Sequence, residues 1–368
     1  MCRHERERMS ITHYFNPVRS IVGAGALAQL PDLLAGRAAA LVVFPQARET
    51  GLVARLHGLL GSQLAVVIDD VRSNPDVAEL RETWTRFWRQ HAEVPVLIAV
   101  GGGSVIDTAK VLMVAHAQGF DALVDDLERG RGFEPSATKT LIAVPTTAGT
   151  GSEVTPWATV WDRSAGRKHS LHLRQTWPTH ALLDAELMLS LPAAPTLHSG
   201  LDALSHALEA LWNRHANPVS DTFAISAVRD IQQVLPRLMS APGDIELREA
   251  MALAALKAGL AFSNTRTALA HSISYDMTLR HGLPHGLACS FPLPAVLERA
   301  LGVHPGRDRV LCEALGVPSS RAVDHLRAFL EGLGVATRFA DYGVGEAEEK
   351  ALIAQALTGA RGRNFIGA

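Results

Sequence analysis

Four short, almost continuous apolar runs constrain the fold more than any other feature: AALVVF (residues 39–44), LAVVID (64–69), PVLIAV (95–100) and TLIAVPT (140–146). A strand with one wet face alternates apolar and polar side chains. Runs without a polar face belong to strands covered on both sides, the condition of a parallel sheet sandwiched by helices. The stretches between them, 49–60, 76–91 and 104–118, carry helical spacing. Strand–helix alternation of this kind predicts a doubly wound, mostly parallel α/β domain over residues 10–190. Two further runs, ATVWD (158–162) and KHSLHL (168–173), flank RSAG and predict a hairpin beside the sheet.

After Leu191-Pro192 the texture changes to Ala- and Leu-rich helical periodicity, interrupted at Asn217-Pro218, at residues 241–243 (APG) and at 282–284 (GLP). This predicts six to eight helices, essentially no strand, and an all-α domain over residues 191–368. Without a low-complexity linker the two domains pack directly, with a cleft between them.

Composition narrows the partners. Apolar residues at 47% and charged residues at 20% suit a globular chain, and a net charge of −2 offers no attraction for nucleic acid or an acidic membrane surface. No apolar run is long enough to span a bilayer. Three widely spaced cysteines, Cys2, Cys289 and Cys312, fit a reducing compartment rather than a disulfide framework. The opening MCRHERERMS lacks the apolar segment of a secretory signal and reads as a disordered leader, with Met9 an alternative start. The expectation is a soluble cytoplasmic protein that handles a small molecule.

The sequence at 96–115, VLIAVGGGSVIDTAKVLMVA, runs from buried strand to three glycines to a helix opening at Ser104. Gly101, Gly102 and Gly103 let backbone N–H groups approach an anion, and the positive end of the helix points at the same place, as a pyrophosphate requires. A second loop, VPTTAGTGSEVTP (144–156), follows the next strand and offers the hydroxyls of Thr146, Thr147, Thr150 and Ser152 where open α/β sheets bind ligands. Together the loops predict a dinucleotide site. IVGAGALAQL (21–30) also matches a dinucleotide fingerprint, but no acid follows at the tip of the next strand. Gly23 and Gly25 therefore read as a turn into an ordinary helix.

In the helical half, Asp202 and His206 are four residues apart and project from one helix face. His271 and His285 flank a break containing Gly282 and Pro284, so they can reach one point from different elements. One carboxylate and three imidazoles, without a nearby cysteine, suit Fe²⁺ or Zn²⁺ with a position open for substrate.

GGGSVIDTAK, PTTAGTGSEVTP, GLDALSH and the pair AHS…PHG, in this order and spacing, resemble the iron-containing (group III, metal-dependent) alcohol dehydrogenases from residue 14 to the C-terminus. Within that family SEVTPWATVWD, RKHSLHL and NTRTALAHSISY…PHGLACSF are most similar to the phosphonoacetaldehyde reductases of phosphonate biosynthesis. The resemblance implies the dehydroquinate synthase-like architecture of that family, with catalysis in the cleft. It implies that Asp202, His206, His271 and His285 hold the metal. It further implies that Gly101, Gly102, Gly103 and Ser104 meet the NAD or NADP pyrophosphate with Asp107 nearby. Thr146, Thr147, Thr150 and Ser152 would contact phosphate, ribose or nicotinamide, and Lys168 the nicotinamide ribose. A homo-oligomer, commonly a dimer, is implied by association only.

Two departures from the family pattern matter. Where many relatives carry an Asp that repels a 2′-phosphate, this chain has Pro45, with Arg48 three residues on, which predicts that NADPH is accepted. Tyr275 stands where some relatives place a further histidine, leaving Tyr275, His281 or a water chain as the proton route. The implied activity is reduction of an aldehyde, phosphonoacetaldehyde in the narrower reading, to a primary alcohol. Lys168, His169, Arg174, Arg266, Arg280 and His281 are candidates for a dianionic head group. The alternatives are a general short-chain alcohol dehydrogenase, a dehydroquinate-synthase-like lyase or cyclase, and a non-enzymatic nucleotide-binding module.

Overall fold

The computed structural model describes residues 11–368, so the expected leader and Cys2 lie outside the described residues. In chain order the strands are β1 (Arg19–Val22), β2 (Ala39–Val43), β3 (Leu64–Ile68), β4 (Val96–Gly101), β5 (Val114–Ala115), β6 (Ala137–Thr138), β7 (Thr140–Pro145), β8 (Trp157–Asp162), β9 (Arg167–His172) and β10 (His180–Leu183). Six form one wholly parallel sheet in the order β1-β10-β7-β4-β2-β3. The accompanying helices are α1 (Leu30–Leu34), α2 (Leu52–Leu60), α3 (Val77–Gln90), α4 (Gly103–Leu112) and α5 (Phe120–Glu128).

The apolar runs serve two cores at once. Ala40, Val42, Leu97, Ala99, Leu141 and Ala143 enter one core with α3, α4, α5 and the hairpin of β8 and β9. Their sequence neighbours Leu41, Val43, Ile98, Val100, Ile142 and Val144 enter the opposite core with α1 and α2. Successive strand side chains face opposite sides, so a polar residue in these runs would be buried on either face. From β2 the chain goes outward to β3 and returns on the other side as β4. The order therefore reverses at the C-terminal ends of β2 and β4, where such sheets bind ligands.

Several local expectations needed correction. α4 stops at Leu112 rather than near residue 118, because Val114–Ala115 pairs antiparallel with Ala137–Thr138. β1, β10 and α5 had no counterpart in the sequence reading. Gly23 and Gly25 do form a turn, both at positive φ, into a short 3-10 helix capped by Asp184, whose carboxylate accepts from the Gly25 and Leu27 N–H groups.

The second half begins with α6 (Ala193–Leu211), then α7 (Pro218–Ser240), α8 (Ile245–Thr265), α9 (Leu269–Leu279), α10 (His285–Ser290), α11 (Leu293–Ala300), α12 (Pro305–Leu315), α13 (Ser319–Gly332) and α14 (Glu346–Thr358). That makes nine α-helices among the described residues, against the six to eight expected, because the chain splits at residues 282–284 and again before Leu293 into the short α10 and α11. Among the described residues this half holds no strand, only an isolated bridge between Asn213 and Phe365. α6 is the centre of the helical core, buried on every side from Gly200 to Leu211. Polar side chains on such a helix need partners or a ligand. No described helix is long and apolar enough to cross a membrane.

Candidate active site

The glycine turn after β4 and the loop after β7 close on each other. A Cβ on Gly103 would lie 2.7 Å from Thr150, and one on Gly101 would lie 2.5 Å from Val105, so neither position admits a side chain. Gly102 N-caps α4 and directs its positive end into the space between the loops. Lys110, fully buried, ties the turn and loop together by donating to the Ser152 carbonyl at 2.6 Å, the Ser152 hydroxyl at 2.8 Å and the Trp157 carbonyl at 2.7 Å. Ser152 Oγ in turn donates to Asp107 at 2.6 Å, and the Thr159 N–H donates to the other Asp107 oxygen at 2.8 Å. Burial lowers Lys110 to about 8, against the pull of Asp107 and Glu153, and raises Glu153 to about 7.

Gly102, Gly103, Ser104, Asp107, Thr146, Thr147, Thr150, Ser152 and Lys168 all line one cleft of about 690 Å³, whereas Gly101 ends β4 behind it. Asp107 and the Ser152 hydroxyl are already engaged with each other, so their evident task is to brace the loops. The loops also meet the helical half directly. A Cβ on Gly149 would lie 2.6 Å from the Ser199 carbonyl of α6, and one on Gly151 would lie 2.7 Å from the Gly259 Cα of α8.

At the other end of this cleft α6, α9 and α10 bring Asp202, His206, His271 and His285 together. The Nε2 atoms of His271, His285 and His206 stand 3.3, 3.7 and 3.8 Å from a single atom, Asp202 Oδ1. Donors around a four-coordinate first-row ion at ~2.1 Å lie ~3.4 Å apart; Asp202, His271 and His285, whose donor atoms lie within 4.8 Å of one another, approach that spacing, while His206 falls outside this group. His271 Nε2 is buried without a hydrogen-bond partner, as an atom reserved for an ion would be. Burial lowers His285 to about 3 and His206 to about 4 although Asp202 opposes both; burial would raise Asp202, but the three imidazoles hold it well below the usual carboxylate range. His206 and His285 are thereby neutral beside an ionised Asp202, as a divalent ion requires, whereas His271, which burial would lower, is raised by the carboxylates of Glu209 and Asp202, so an ion bound there would displace its proton.

Some of this was invisible in the sequence. Glu209, one turn beyond His206, accepts from His271 Nδ1 at 2.7 Å and from the backbone N–H groups of Ala268 and His271. Phe262 stacks on the His206 ring at 4.0 Å. Cys289 corrects the expectation of a cysteine-free site: its thiol donates to Asp202 at 3.4 Å, and Asp202, His271, His285 and Cys289 offer donor atoms within 4.8 Å of one another. His281 does not line the cleft: beyond the end of α9, its Nε2 lies 3.3 Å from Glu348 Oε1. Tyr275 lies behind Lys168 and Arg361, with its hydroxyl buried and unpaired.

Of the six head-group candidates only Lys168 and Arg266 line the cleft; His169 faces Asp162, Arg280 pairs with Glu348, and Arg174 is exposed. Arg266 is held at φ +68, a strained conformation for a residue with a side chain. Arg48 does not stand free at the nucleotide end, because its guanidinium pairs with Asp69 at the tip of β3. The arginine that lines that end of the cleft is Arg72.

Known proteins are similar to this chain over nearly its whole length. Residues 17–185 match the iron-containing alcohol dehydrogenase family and residues 196–365 its C-terminal domain. The NAD-dependent methanol dehydrogenase of Bacillus methanolicus is 32% identical over 362 residues, 94% of this chain and 93% of that protein. The phosphonoacetaldehyde reductase of Streptomyces viridochromogenes is 32% identical over 311 residues, 80% and 76% of the two chains. The crystal structure of sulfoacetaldehyde reductase from Bifidobacterium kashiwanohense with NAD⁺ superposes with a TM-score of 0.89 at 27% identity, over 97% of this chain and 95% of that one. The chain belongs to the iron-containing alcohol dehydrogenase family and is an oxidoreductase of that type.

Proposed function

We propose that this protein is a metal-dependent NAD(P)H aldehyde reductase whose substrate is phosphonoacetaldehyde, reduced to 2-hydroxyethylphosphonate. The observation that carries the reductase reading is the convergence of three imidazole Nε2 atoms on Asp202 Oδ1 at one end of a cleft lined at its other end by the glycine turn. Asp202, His206, His271 and His285 would hold the ion, with Fe²⁺ and Zn²⁺ both compatible with nitrogen and carboxylate donors. When bound, the ion would supply Lewis-acid stabilisation of charge on the carbonyl oxygen, and the nicotinamide would supply the hydride. The chain's own part is positional. The turn at Gly102 and Gly103 receives the pyrophosphate, Thr147 and Thr150 pack the loop against it, and Glu209 fixes the His271 ring.

The phosphonate assignment draws on the similarity to phosphonoacetaldehyde reductase and on the cations of the cleft. For the nucleotide, the absence of a carboxylate at Pro45 favours acceptance of NADPH, while Arg48 is paired with Asp69 and Arg72, which lines the cleft, stands 3.6 Å from Glu79.

The test is anaerobic NAD(P)H oxidation by protein loaded with Fe²⁺ or Zn²⁺, offered phosphonoacetaldehyde, with the product identified by phosphorus NMR. Stoichiometric nucleotide oxidation and 2-hydroxyethylphosphonate are expected, with activity lost in chelator and in H271A. Turnover of an aldehyde without net nucleotide consumption would move the protein to lyase or cyclase chemistry on the related scaffold. Full activity in chelator would remove the ion from the reaction.

A further inference from the structure

Beyond the metal centre, the same cleft holds two half-buried cations that no described side chain pairs; Arg266, the third unpaired cation of the lining, is exposed. Lys168 Nζ on β9 and the Arg361 guanidinium, just after α14, lie 4.4 and 4.9 Å from the ring of Tyr275. Neither side chain makes a hydrogen bond or ion pair to any described residue, yet both line the cleft, with Asn364 and Thr267 beside Arg361. The nearby carboxylates are committed elsewhere: Glu209 to His271 and two backbone N–H groups, Asp107 to Ser152 and Thr159, and Asp202 to its three imidazoles. Two like charges beside one aromatic ring, largely withdrawn from water, are unfavourable unless an anion completes the group.

We infer that Lys168 and Arg361, held against Tyr275, form the head-group site for a dianionic aldehyde, and that Arg361 determines specificity. The guanidinium suits this task because its planar fork meets two oxygens of one phosphonate group, whereas Lys168 contributes a point charge. The segment carrying Arg361 is stiffly held. A Cβ on Gly362 would collide with the Ala356 carbonyl, and Asn364 Nδ2 donates to the Thr267 carbonyl at 2.8 Å. Burial followed by the charge of Arg361 lowers Lys168 to about 7, against the pull of Asp107, Asp202 and Cys289, so a bound anion would be needed to hold it fully charged at neutral pH. Arg361 carries no local signal in the sequence, because TGARGRNFIGA lies far from every other site residue. Two cations also rank the ligands: a dianionic phosphonate is preferred to a monoanionic sulfonate on the same two-carbon aldehyde.

This inference rests on the reductase reading, and its test separates the two. The metal-loaded enzyme is compared on phosphonoacetaldehyde, sulfoacetaldehyde and the neutral isostere 3,3-dimethylbutanal, with ethylphosphonate as an unreactive probe followed by calorimetry. The wild type is expected to prefer phosphonoacetaldehyde to the isostere and to bind ethylphosphonate. Arg361→Met should lower the phosphonate-to-isostere ratio of kcat/KM by about 100-fold, mostly through KM, and weaken ethylphosphonate similarly. Arg361→Lys should recover part of both, and melting curves for the two variants check that they fold. An equal fall on charged and neutral aldehydes, or no wild-type preference for the phosphonate over the isostere, overturns the head-group site while leaving the reductase reading intact. A preference for the sulfonate overturns the dianion assignment. Ethylphosphonate binding that depends on Arg361, in a protein that reduces no aldehyde, supports the anion site and overturns the reductase.

Discussion

Glu209 holds His271 by a 2.7 Å hydrogen bond to Nδ1 while also accepting the His271 backbone N–H at 3.1 Å, so one buried carboxylate fixes both the ring and the helix turn that carries it. With Nδ1 as the donor, Nε2 carries the lone pair once the ring is neutral, and it is the nitrogen closest to Asp202, at 3.3 Å. Removing such an orienting partner costs ~10–100-fold in metal affinity. Glu209→Gln is expected to lower bound metal and activity together by a factor in that range, while Asp202→Asn removes metal altogether. Metal content after equilibrium dialysis, set beside kcat/KM, checks this; a Glu209→Gln protein with full metal occupancy would contradict it.

The second prediction concerns how His285 is delivered. Gly286 lies so close to the His198 carbonyl of α6 that a Cβ there would overlap it, which lets α10 start against α6 with His285 facing Asp202 at 3.7 Å. Gly286→Ala must push α10 outward. A loss of at least about 2 kcal/mol is expected from the overpacking, with weakened metal binding from the displaced imidazole. Thermal melts with and without metal separate the two effects: the stabilisation conferred by metal should shrink in the variant. A variant with an unchanged metal-induced shift in Tm would show that α10 has room to adjust.

Much of the frame was legible because its signals are local. The all-apolar runs that became β2, β4 and β7 had to be strands buried on both faces, and Asp202 with His206 had to share a face of one helix. What escaped is non-local. β1 and β10 are four-residue strands fixed by remote partners: Arg19 lies opposite His180 across most of the α/β half, and β10 is held on its other side by β7. Val114–Ala115 abandoned a helix for the same reason, the remote partner Ala137–Thr138. Glu209 and Cys289 look like ordinary positions on apolar helices, and only packing brings them to His271 and Asp202. Nothing in one dimension places Arg48 beside Asp69, its partner in the fold.

That pair yields a third prediction. Arg48 is bound to Asp69 in this structure, and an acid at the tip of β3 opposes a 2′-phosphate as well as occupying the guanidinium. Asp69→Asn frees Arg48 and removes the negative charge. The ratio of kcat/KM for NADPH over NADH is expected to rise by about tenfold, a charge-assisted contact of roughly 1.4 kcal/mol. Arg48→Ala in the Asp69→Asn background should take that gain away. A ratio unmoved by both changes would leave Arg72 as the cation to test next at that end of the cleft.

The last prediction uses the brace beneath the glycine turn. Burial raises Glu153 from an ordinary 4.5 to about 7, and lowers Lys110 from 10.5 to about 8. Between pH 4.5 and about 7 the folded protein keeps a proton on Glu153 that the unfolded chain has released, so this group's contribution to stability falls as pH rises through that window and is flat above it. Lys110 acts in the other direction: between about 8 and 10.5 the unfolded chain binds the extra proton, so its contribution improves as pH rises. Together the two groups contribute a stability minimum near neutrality. Glu153→Gln removes the acidic limb, worth at most about 3 kcal/mol, and it lowers Lys110 further by deleting a favourable neighbour. Urea unfolding of both proteins at pH 5 and pH 7 gives the comparison: the variant should gain on the wild type between these points. Parallel pH dependences in the two proteins would mean that Glu153 is ionised and fully compensated in the fold.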